Sequence, residues 1–184
     1  MRAISRWALA PLAVALISGC GPKEDKAGAE AKAPEPSSRT LAATLDGGPF
    51  DAMGRVADNA GLTTVLEGPG PYTVFAPPEA ALKGGGADFT DPALKAEGAA
   101  LVRSHIVPGA ITRADIAAAV ERAGANGAQM RTMADTVLTF TKDGDAIIAA
   151  TADGARARLG EEAVAKNGVA HAVDGLLAKA AATP

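Results

Sequence analysis

The sequence predicts an α+β domain in which helices pack against a sheet of antiparallel strands. Between residues 49 and 124 the apolar side chains recur mostly at helical spacing, whereas after Asn126 they alternate with polar ones. Asp-Gly and Asn-Gly pairs separate the alternating runs, and such pairs are strong hairpin signals. A run of helices followed by a run of strands is typical of the α+β class.

The helices are predicted from apolar spacing and from their end signals. Residues 49–59 have a proline in the opening turn, where the missing N–H costs nothing. Thr112 with Asp115 three residues later forms an acidic variant of the capping box. The predicted helices are 49–59, a short one around 62–66, a turn at 79–82, and longer ones at 91–103 and 112–124.

The strands are predicted from β-branched and aromatic runs. The first is "YTVFA" at 72–76, which prolines then stop, and "HIVPG" is a short extended piece. In the second half, "MRTM" and "TVLTFT" lead to a turn at Asp143-Gly144, and "AIIAAT" leads to one at Asp153-Gly154. Asn167-Gly168 is predicted to join two more short strands near the end.

The first forty residues have the parts of an export signal. Arg2 and Arg6 precede an apolar stretch from Trp7 to Ile17, followed by small residues. That stretch is too short to cross a bilayer, which takes about twenty apolar residues. The next segment lacks large apolar residues and cannot order itself. The predicted division is a signal peptide at 1–19, a disordered tether at 20–40 and a folded domain at 41–181.

The single cysteine, Cys20, directly follows the predicted signal. Residues 17–20, "ISGC", resemble the lipobox of bacterial lipoproteins, which implies that Cys20 is the lipid attachment site. Gly21 at the next position favours the outer membrane under the enterobacterial sorting rule, with the domain facing the periplasm or the cell surface. The alternative is a plain secretory signal in which Cys20 is a bystander. One cysteine excludes an intramolecular disulfide.

Composition limits the classes of partner. Loss of the signal, with Arg2 and Arg6, takes the formal net charge from −3 to −5. A mildly acidic chain without a Lys/Arg cluster offers no footprint for nucleic acid. Aromatic residues make up only 3%, which argues against sugar-binding platforms of stacked Trp and Tyr. No cofactor is expected.

Three segments in order resemble the boxes of fasciclin-type domains: "PYTVFAPPEAAL" (71–82), "LVRSHIVPG" (101–109) and "KNGVAHAVDGLL" (166–177). The resemblance implies a fasciclin-like wedge, an antiparallel β-sandwich flanked by several α-helices. It also implies roles in adhesion and binding and not in catalysis. The box residues, to which structural or partner-binding roles are assigned, are Thr73, Val74, Phe75, Ala76, Pro77, His105, Val107, Gly109, Asn167, Gly168, His171 and Asp174.

The sequence departs from the family pattern at several positions. Pro78 and Glu79 replace the usual Thr and Asn/Asp, so a favoured helix cap is lost. Leu82 stands where Phe is usual, which thins the core. Some animal members have a Tyr-His pair in the central box for which integrin contact has been proposed. Here the pair is Ser104-His105, so integrin binding is not expected.

The two histidines do not predict catalysis. Neighbours on an extended chain face opposite sides, so Ser104 and His105 are not expected to form a nucleophile and base pair. A metal site would need His105, His171 and Asp174 to converge, and no H-x-x-x-H or C-x-x-C framework supports one. Each imidazole is expected to bond to a backbone carbonyl or a carboxylate, and Asp174 to hold backbone N–H groups in a turn.

Two hypotheses of function follow. The first is an interaction module, anchored to the membrane by its lipid, that binds a protein or polysaccharide at the cell envelope. The second is a periplasmic carrier that holds a small apolar ligand between the helices and the sheet, with the alanine-rich helix 112–124 as a movable lid. A filled internal cavity would support the carrier.

Overall fold

The computed structural model describes residues 37–84 and 86–178 of the 184-residue chain. The chain divides into two units, and every described residue belongs to the second, which spans Ala33–Pro184. The predicted signal peptide, Cys20 and the tether up to residue 36 lie outside the described residues. Within the described part, no helix has both the length and the apolar character needed to cross a bilayer.

Helices occupy most of the first half of the domain. Thr40 and Thr112 accept hydrogen bonds at two helix N-termini, and Thr112 and Asp115 form the reciprocal capping box that the sequence predicts. Pro78 begins its helix without a side-chain cap, because its ring carries no hydrogen-bond acceptor. The described α-helices are α1 Leu41–Leu45, α2 Asp51–Asn59, α3 Thr63–Glu67, α4 Glu79–Lys83, α5 Lys95–Ser104 and α6 Arg113–Ala123.

Seven strands among the described residues form one continuous sheet in the order β2-β1-β7-β6-β5-β4-β3. All neighbouring pairs are antiparallel except β1 and β7, which run parallel. The α+β class is therefore confirmed, with one parallel pairing in an otherwise antiparallel sheet. The strands are β1 Tyr72–Ala76, β2 Ile106–Pro108, β3 Ala128–Arg131, β4 Val137–Asp143, β5 Ala146–Thr151, β6 Arg156–Ala165 and β7 Gly168–Val173.

The long strand β6 connects the two halves of the sheet. Its beginning pairs with β5, its remainder pairs with β7, and the register shifts between Leu159 and Glu162. Such an irregularity bends a strand and increases its twist. The two ends of the sheet consequently meet: the Met133 N–H donates to the Ile106 carbonyl at 2.8 Å, and the rings of Phe75 and Phe140 lie 5.4 Å apart. The folded-over sheet forms the wedge.

Two apolar clusters fill the domain. The first lies between the helices α1 to α5 and one side of β1 and β7, and it includes the fully buried Leu41 and Met53. The second lies between the two halves of the sheet and is closed by α6, whose Ile116 and Val120 are buried. Burial of a large apolar side chain stabilises the fold by roughly 1.5–3 kcal/mol.

The beginning of the domain differs from the sequence prediction. Residues 37–40, assigned to the tether, are hydrogen-bonded to the end of β6: the Ser37 N–H donates to Val164 O, and the Lys166 N–H donates to Arg39 O, both at 2.9 Å. The short helix α1 that follows was not predicted. Its five residues are too few for a helical period to stand out, and tertiary packing stabilises it.

The last hairpin turn also differs from the prediction. Ala165 pairs directly with Gly168, so the turn consists of Lys166 and Asn167 and not of Asn167-Gly168. Gly168 is the first residue of β7. A Cβ on it would lie 2.0 Å from the Tyr72 carbonyl oxygen and 2.5 Å from a methyl carbon of Leu41. The glycine is thus required by the close approach of β1 and α1.

Candidate functional site

The box residues converge on one region, which we call the central junction. It comprises β1, β2 and β7 with the residues that flank them, namely Thr73–Pro77, His105–Gly109 and Asn167–Asp174. Thr73, Val74, Phe75, Ala76, Pro77, His105, Val107, Asn167, Gly168 and His171 are all buried. Of the predicted residues in the described part, only Gly109 is half-buried and only Asp174 is exposed.

Thr73 fastens the loop that leads from β2 to α6. Its hydroxyl donates to the Gly109 carbonyl at 2.7 Å and accepts the Ile111 N–H at 2.9 Å. Gly109 has a positive φ of 110°, which a glycine adopts readily. The "TVFA" box therefore uses its threonine to fix a loop, while Val74 and Phe75 point into the two different apolar clusters.

Asn167, in the turn between β6 and β7, joins this turn to two helices through its buried side chain. The amide oxygen accepts the Leu41 N–H at 2.7 Å, at the start of α1. The amide nitrogen donates to the carbonyls of Leu66 at 2.8 Å and Gly68 at 2.6 Å, at the end of α3. These are one N–H and two carbonyl groups at the ends of helices, where no partner within the helix is available, and leaving such groups unpaired in the interior costs free energy. Asn167 is therefore the polar centre of the junction.

Ser104 and His105 differ from the sequence prediction. An extended chain with the two side chains facing apart was expected, but Ser104 ends α5 and His105 follows it in a turn conformation. Their side chains meet, with Ser104 Oγ 3.0 Å from His105 Nδ1. The helical backbone turns by about 100° per residue, so adjacent side chains at a helix end can approach each other.

The contact does not create a nucleophile and base pair. Ser104 Oγ donates to the Leu101 carbonyl at 2.6 Å, and His105 Nδ1 lies 2.9 Å from the same oxygen. His105 Nε2 accepts the Leu177 N–H at 3.0 Å. The proton of the neutral ring must then reside on Nδ1, which has no lone pair to accept the serine proton. His105 instead ties the C-terminal segment to α5.

Burial keeps His105 neutral. The side chain is completely buried, and desolvation lowers its pKa from 6.5 to about 4, opposed only by the hydrogen bond to Leu101. A charged ring would lose the acceptor that holds the Leu177 N–H. The hydrogen bonds of the imidazole and its protonation state are therefore linked.

His171 lies on the other side of the junction and has one unsatisfied atom. Its Nε2 is 2.9 Å from the Ile111 carbonyl, and its ring stacks on Phe75 with the centroids 5.5 Å apart. Its Nδ1 is buried without a hydrogen bond, 3.6 Å from a carboxylate oxygen of Glu162. Burial lowers the pKa of His171, so the ring is neutral at pH 7.

Glu162 and Arg113 join α6 to the bend of β6. The Glu162 carboxylate accepts the backbone N–H of Arg113 at the start of α6. The Arg113 guanidinium donates to the Leu159 carbonyl at 2.9 Å and to the Gly160 carbonyl. Helix α6 is thus fixed by polar contacts at its N-terminus and by Ile116 and Val120 in the core.

Asp174 has the turn role that its position suggests. Its carboxylate accepts the Arg158 N–H at 2.6 Å, and its own N–H donates to the Arg158 carbonyl at 3.2 Å. His105, His171 and Asp174 each bind backbone groups. Across residues 37–84 and 86–178, no group of three His, Cys, Asp or Glu side chains is arranged to hold a metal ion.

The sequence did not predict a second candidate surface. We call it the outer face: the side of β3, β4, β5 and the start of β6 that points away from the core. Its side chains are exposed or half-buried, and the signal that could have revealed it is the alternation "RARL" at 156–159. The residues of the outer face are Gln129, Arg131, Val137, Thr139, Thr141, Ile148, Ala150, Arg156 and Arg158.

Comparisons with known proteins agree with the geometry of the junction. Over residues 48–179 the chain matches the model of the Fasciclin domain family. Its structure resembles a FAS1 domain pair from the insect cell adhesion molecule fasciclin I, with a TM-score of 0.65 and 12% sequence identity. The match covers 77% of this chain and 51% of that one, so the chain spans about half the length of the pair. A search of curated proteins gives no match.

Proposed function

The chain belongs to the fasciclin domain family, and on that premise we propose that it is an interaction module held at the cell envelope by a lipid on Cys20. In this proposal the domain binds a protein or polysaccharide outside the cytoplasm, and the lipid supplies the attachment to the membrane. The similarity to a cell adhesion molecule supports this class of function. The tether and the lipid anchor in this proposal are inferred from the sequence pattern of residues 1–40.

One observation carries the proposal: the distinctive side chains of the boxes bind groups within the fold. Thr73, Asn167 and His105 hold backbone N–H and carbonyl groups that would otherwise be unpaired. Buried, satisfied side chains cannot contact a partner without unfolding the region around them. A rigid domain of this kind acts through the surface that it exposes.

The carrier hypothesis lacks a comparable observation. It needs α6 to open as a lid, but α6 is capped by Thr112, fixed to β6 through Arg113, and buried through Ile116 and Val120. The cleft among α1, α2 and α3 has a volume of about 380 Å³, but it is open and charged residues line part of it. An apolar ligand prefers an enclosed apolar pocket.

Metabolic labelling tests the anchor. The full chain is expressed in a bacterium grown with labelled palmitate and compared with Cys20→Ser. We expect label and membrane association in the natural chain and neither in the variant, because each buried methylene of an acyl chain contributes about 0.8 kcal/mol. Label retained by Cys20→Ser would contradict the assignment of residue 20.

An adhesion assay tests the module. Cells that produce the anchored chain are compared with cells that produce Cys20→Ser for attachment to isolated envelope material of the same bacterium. The natural chain should increase attachment, and soluble domain added in excess should abolish the increase by competition. Equal attachment of both strains would contradict a role in adhesion.

A further inference from the structure

The side chains of the outer face lie in rows that cross three or four strands. Gln129, Thr139, Ala150 and Arg156 are direct cross-strand neighbours, as are Thr141, Ile148 and Arg158. Directly opposed residues project on the same side of an antiparallel sheet. Helix α6 covers the opposite side, where Leu138, Phe140 and Ile147 are buried.

The polar groups of these rows have no partners within the described part of the chain. The hydroxyls of Thr139 and Thr141, the amide of Gln129 and the guanidinium groups of Arg156 and Arg158 make no side-chain hydrogen bond or ion pair there. This contrasts with the central junction, where polar groups are paired. Unpaired donors on a rigid surface are available to a ligand without breaking any contact in the domain.

The charge of the outer face is opposite to that of the chain. Arg156 and Arg158 are two exposed positive charges on β6, each at the end of its row, and neither row contains a carboxylate, whereas the whole chain has a net charge of −3. Carboxylates lie at the margins, with Asp143 at the end of β4 and Asp174 beside the backbone of Arg158. Arg131 is paired with Asp135. The unpaired charge favours an anionic partner.

The same face is poor in the residues that form the centre of a protein interface. Protein partners meet through a desolvated apolar and aromatic core, with Trp, Tyr and Arg as anchors. Here the apolar members, Val137, Ile148 and Ala150, are small or half-buried, and the face has no aromatic ring. Hydroxyls, an amide and guanidinium groups side by side on an exposed sheet surface fit a ligand that is itself rich in hydroxyls and carboxylates.

We propose that the outer face binds an acidic polysaccharide whose sugar carboxylates pair with Arg156 and Arg158 and whose hydroxyls bond to Thr139, Thr141 and Gln129. The proposal rests on the function proposed above and names its partner class and surface. The two arginines are two residues apart on β6, which places their Cα atoms about 7 Å from each other. Four strands span about 14 Å, enough for several sugar units.

Binding to polygalacturonate tests the proposal. The full-length lipidated protein in detergent is titrated with polygalacturonate and with neutral dextran, and Arg156→Gln/Arg158→Gln is compared with Arg103→Gln/Arg122→Gln. The control pair removes the same charge from exposed positions on α5 and α6. We expect binding to polygalacturonate but not to dextran, and a loss of at least roughly tenfold in the outer-face variant only.

A second variant separates specific contacts from charge alone. Thr139→Val/Thr141→Val keeps the strand preference and the net charge and removes two hydroxyls, and it should weaken binding several-fold. Equal loss in both arginine pairs would show non-specific attraction and overturn the proposal. Tighter binding of polyglutamate than of polygalacturonate would also overturn it and indicate an acidic protein partner. If adhesion persists in Arg156→Gln/Arg158→Gln, the outer face is not the binding surface, while the proposed function as an interaction module still holds.

Discussion

The central junction and the outer face use polar side chains in opposite ways. At the junction, Asn167, Thr73 and His105 are buried and bind the ends of helices, loops and the C-terminal segment. On the outer face, the side chains of Gln129 and Thr139 are exposed or half-buried and make no hydrogen bond within the described residues. The difference teaches that the residues by which this family is identified maintain the fold, whereas the polar side chains on the other half of the sheet stay unpaired at the surface.

The largest effect is expected from two amide substitutions, one in each region. Asn167→Ala removes three side-chain hydrogen bonds and leaves buried groups on Leu41, Leu66 and Gly68 unpaired, which should cost about 4 kcal/mol of unfolding free energy. Gln129→Ala removes an exposed amide and should change that free energy by less than about 0.5 kcal/mol. Urea unfolding measures both. Similar losses of unfolding free energy in the two variants would contradict the contrast between the central junction and the outer face.

A smaller effect is expected from acid. His105 takes up a proton near pH 6.5 in the unfolded chain but only near pH 4 in the folded chain. Its contribution to stability is therefore complete above pH 6.5 and is lost as the pH falls from 6.5 to about 4. We expect the unfolding free energy to drop by about 2 kcal/mol between pH 8 and pH 5 from His105 alone. His171, whose pKa burial also lowers, adds to the loss in the same direction.

Two variants sharpen the acid prediction. Urea unfolding at each pH should give a shallower dependence for His105→Asn than for the natural chain. Arg156→Gln/Arg158→Gln should keep the natural dependence, because arginine does not titrate in this range. An unchanged slope in His105→Asn would place the acid sensitivity elsewhere.

The smallest effect is expected at the unpaired nitrogen of His171. One Glu162 carboxylate oxygen accepts the Arg113 N–H and also lies 3.6 Å from His171 Nδ1. In Glu162→Gln this position holds either the amide oxygen or the amide nitrogen, so the variant serves one of the two groups and not both. We expect the unfolding free energy at pH 7 to change by less than about 1 kcal/mol, because one hydrogen bond is kept or exchanged for another. Glu161→Gln, an exposed neighbour with the same change of charge, serves as the control. Stabilisation by more than about 1 kcal/mol in Glu162→Gln alone would show that both groups become paired and would contradict the sharing of one oxygen.

The sequence predicts the parts of the fold that local rules determine. The capping box at Thr112 and the strand at 72–76 follow from short-range chemistry, and both are present. Hairpins also form at the two Asp-Gly pairs, with Asp153-Gly154 inside its turn, whereas the first turn consists of Gly144 and Asp145 because Asp143 still pairs with Ala146. The three boxes in order identify the family because their residues serve close contacts that few alternatives could make. Gly168 is an example, since any Cβ would collide with the Tyr72 carbonyl.

The features that the sequence missed depend on contacts between distant segments. The five-residue helix α1 is held by Asn167, which lies 126 positions away along the chain. The Ser104–His105 contact arises because α5 extends to Ser104, one residue beyond the predicted end of the helix at residue 103. The outer face emerges only when the register of four strands is known, because Arg156 and Gln129 belong to one row by way of two intervening strands.

The parallel pairing of β1 with β7 has a consequence for biogenesis. Tyr72 is opposite Gly168, so the middle of the sheet can close only after nearly all of the domain has left the ribosome. Such long-range pairing is slow to form compared with local helix contacts. A polypeptide that cannot complete the centre of its sheet until the last strand is synthesised remains incompletely folded throughout translation, so closure of the sheet is one of the last steps in forming the domain.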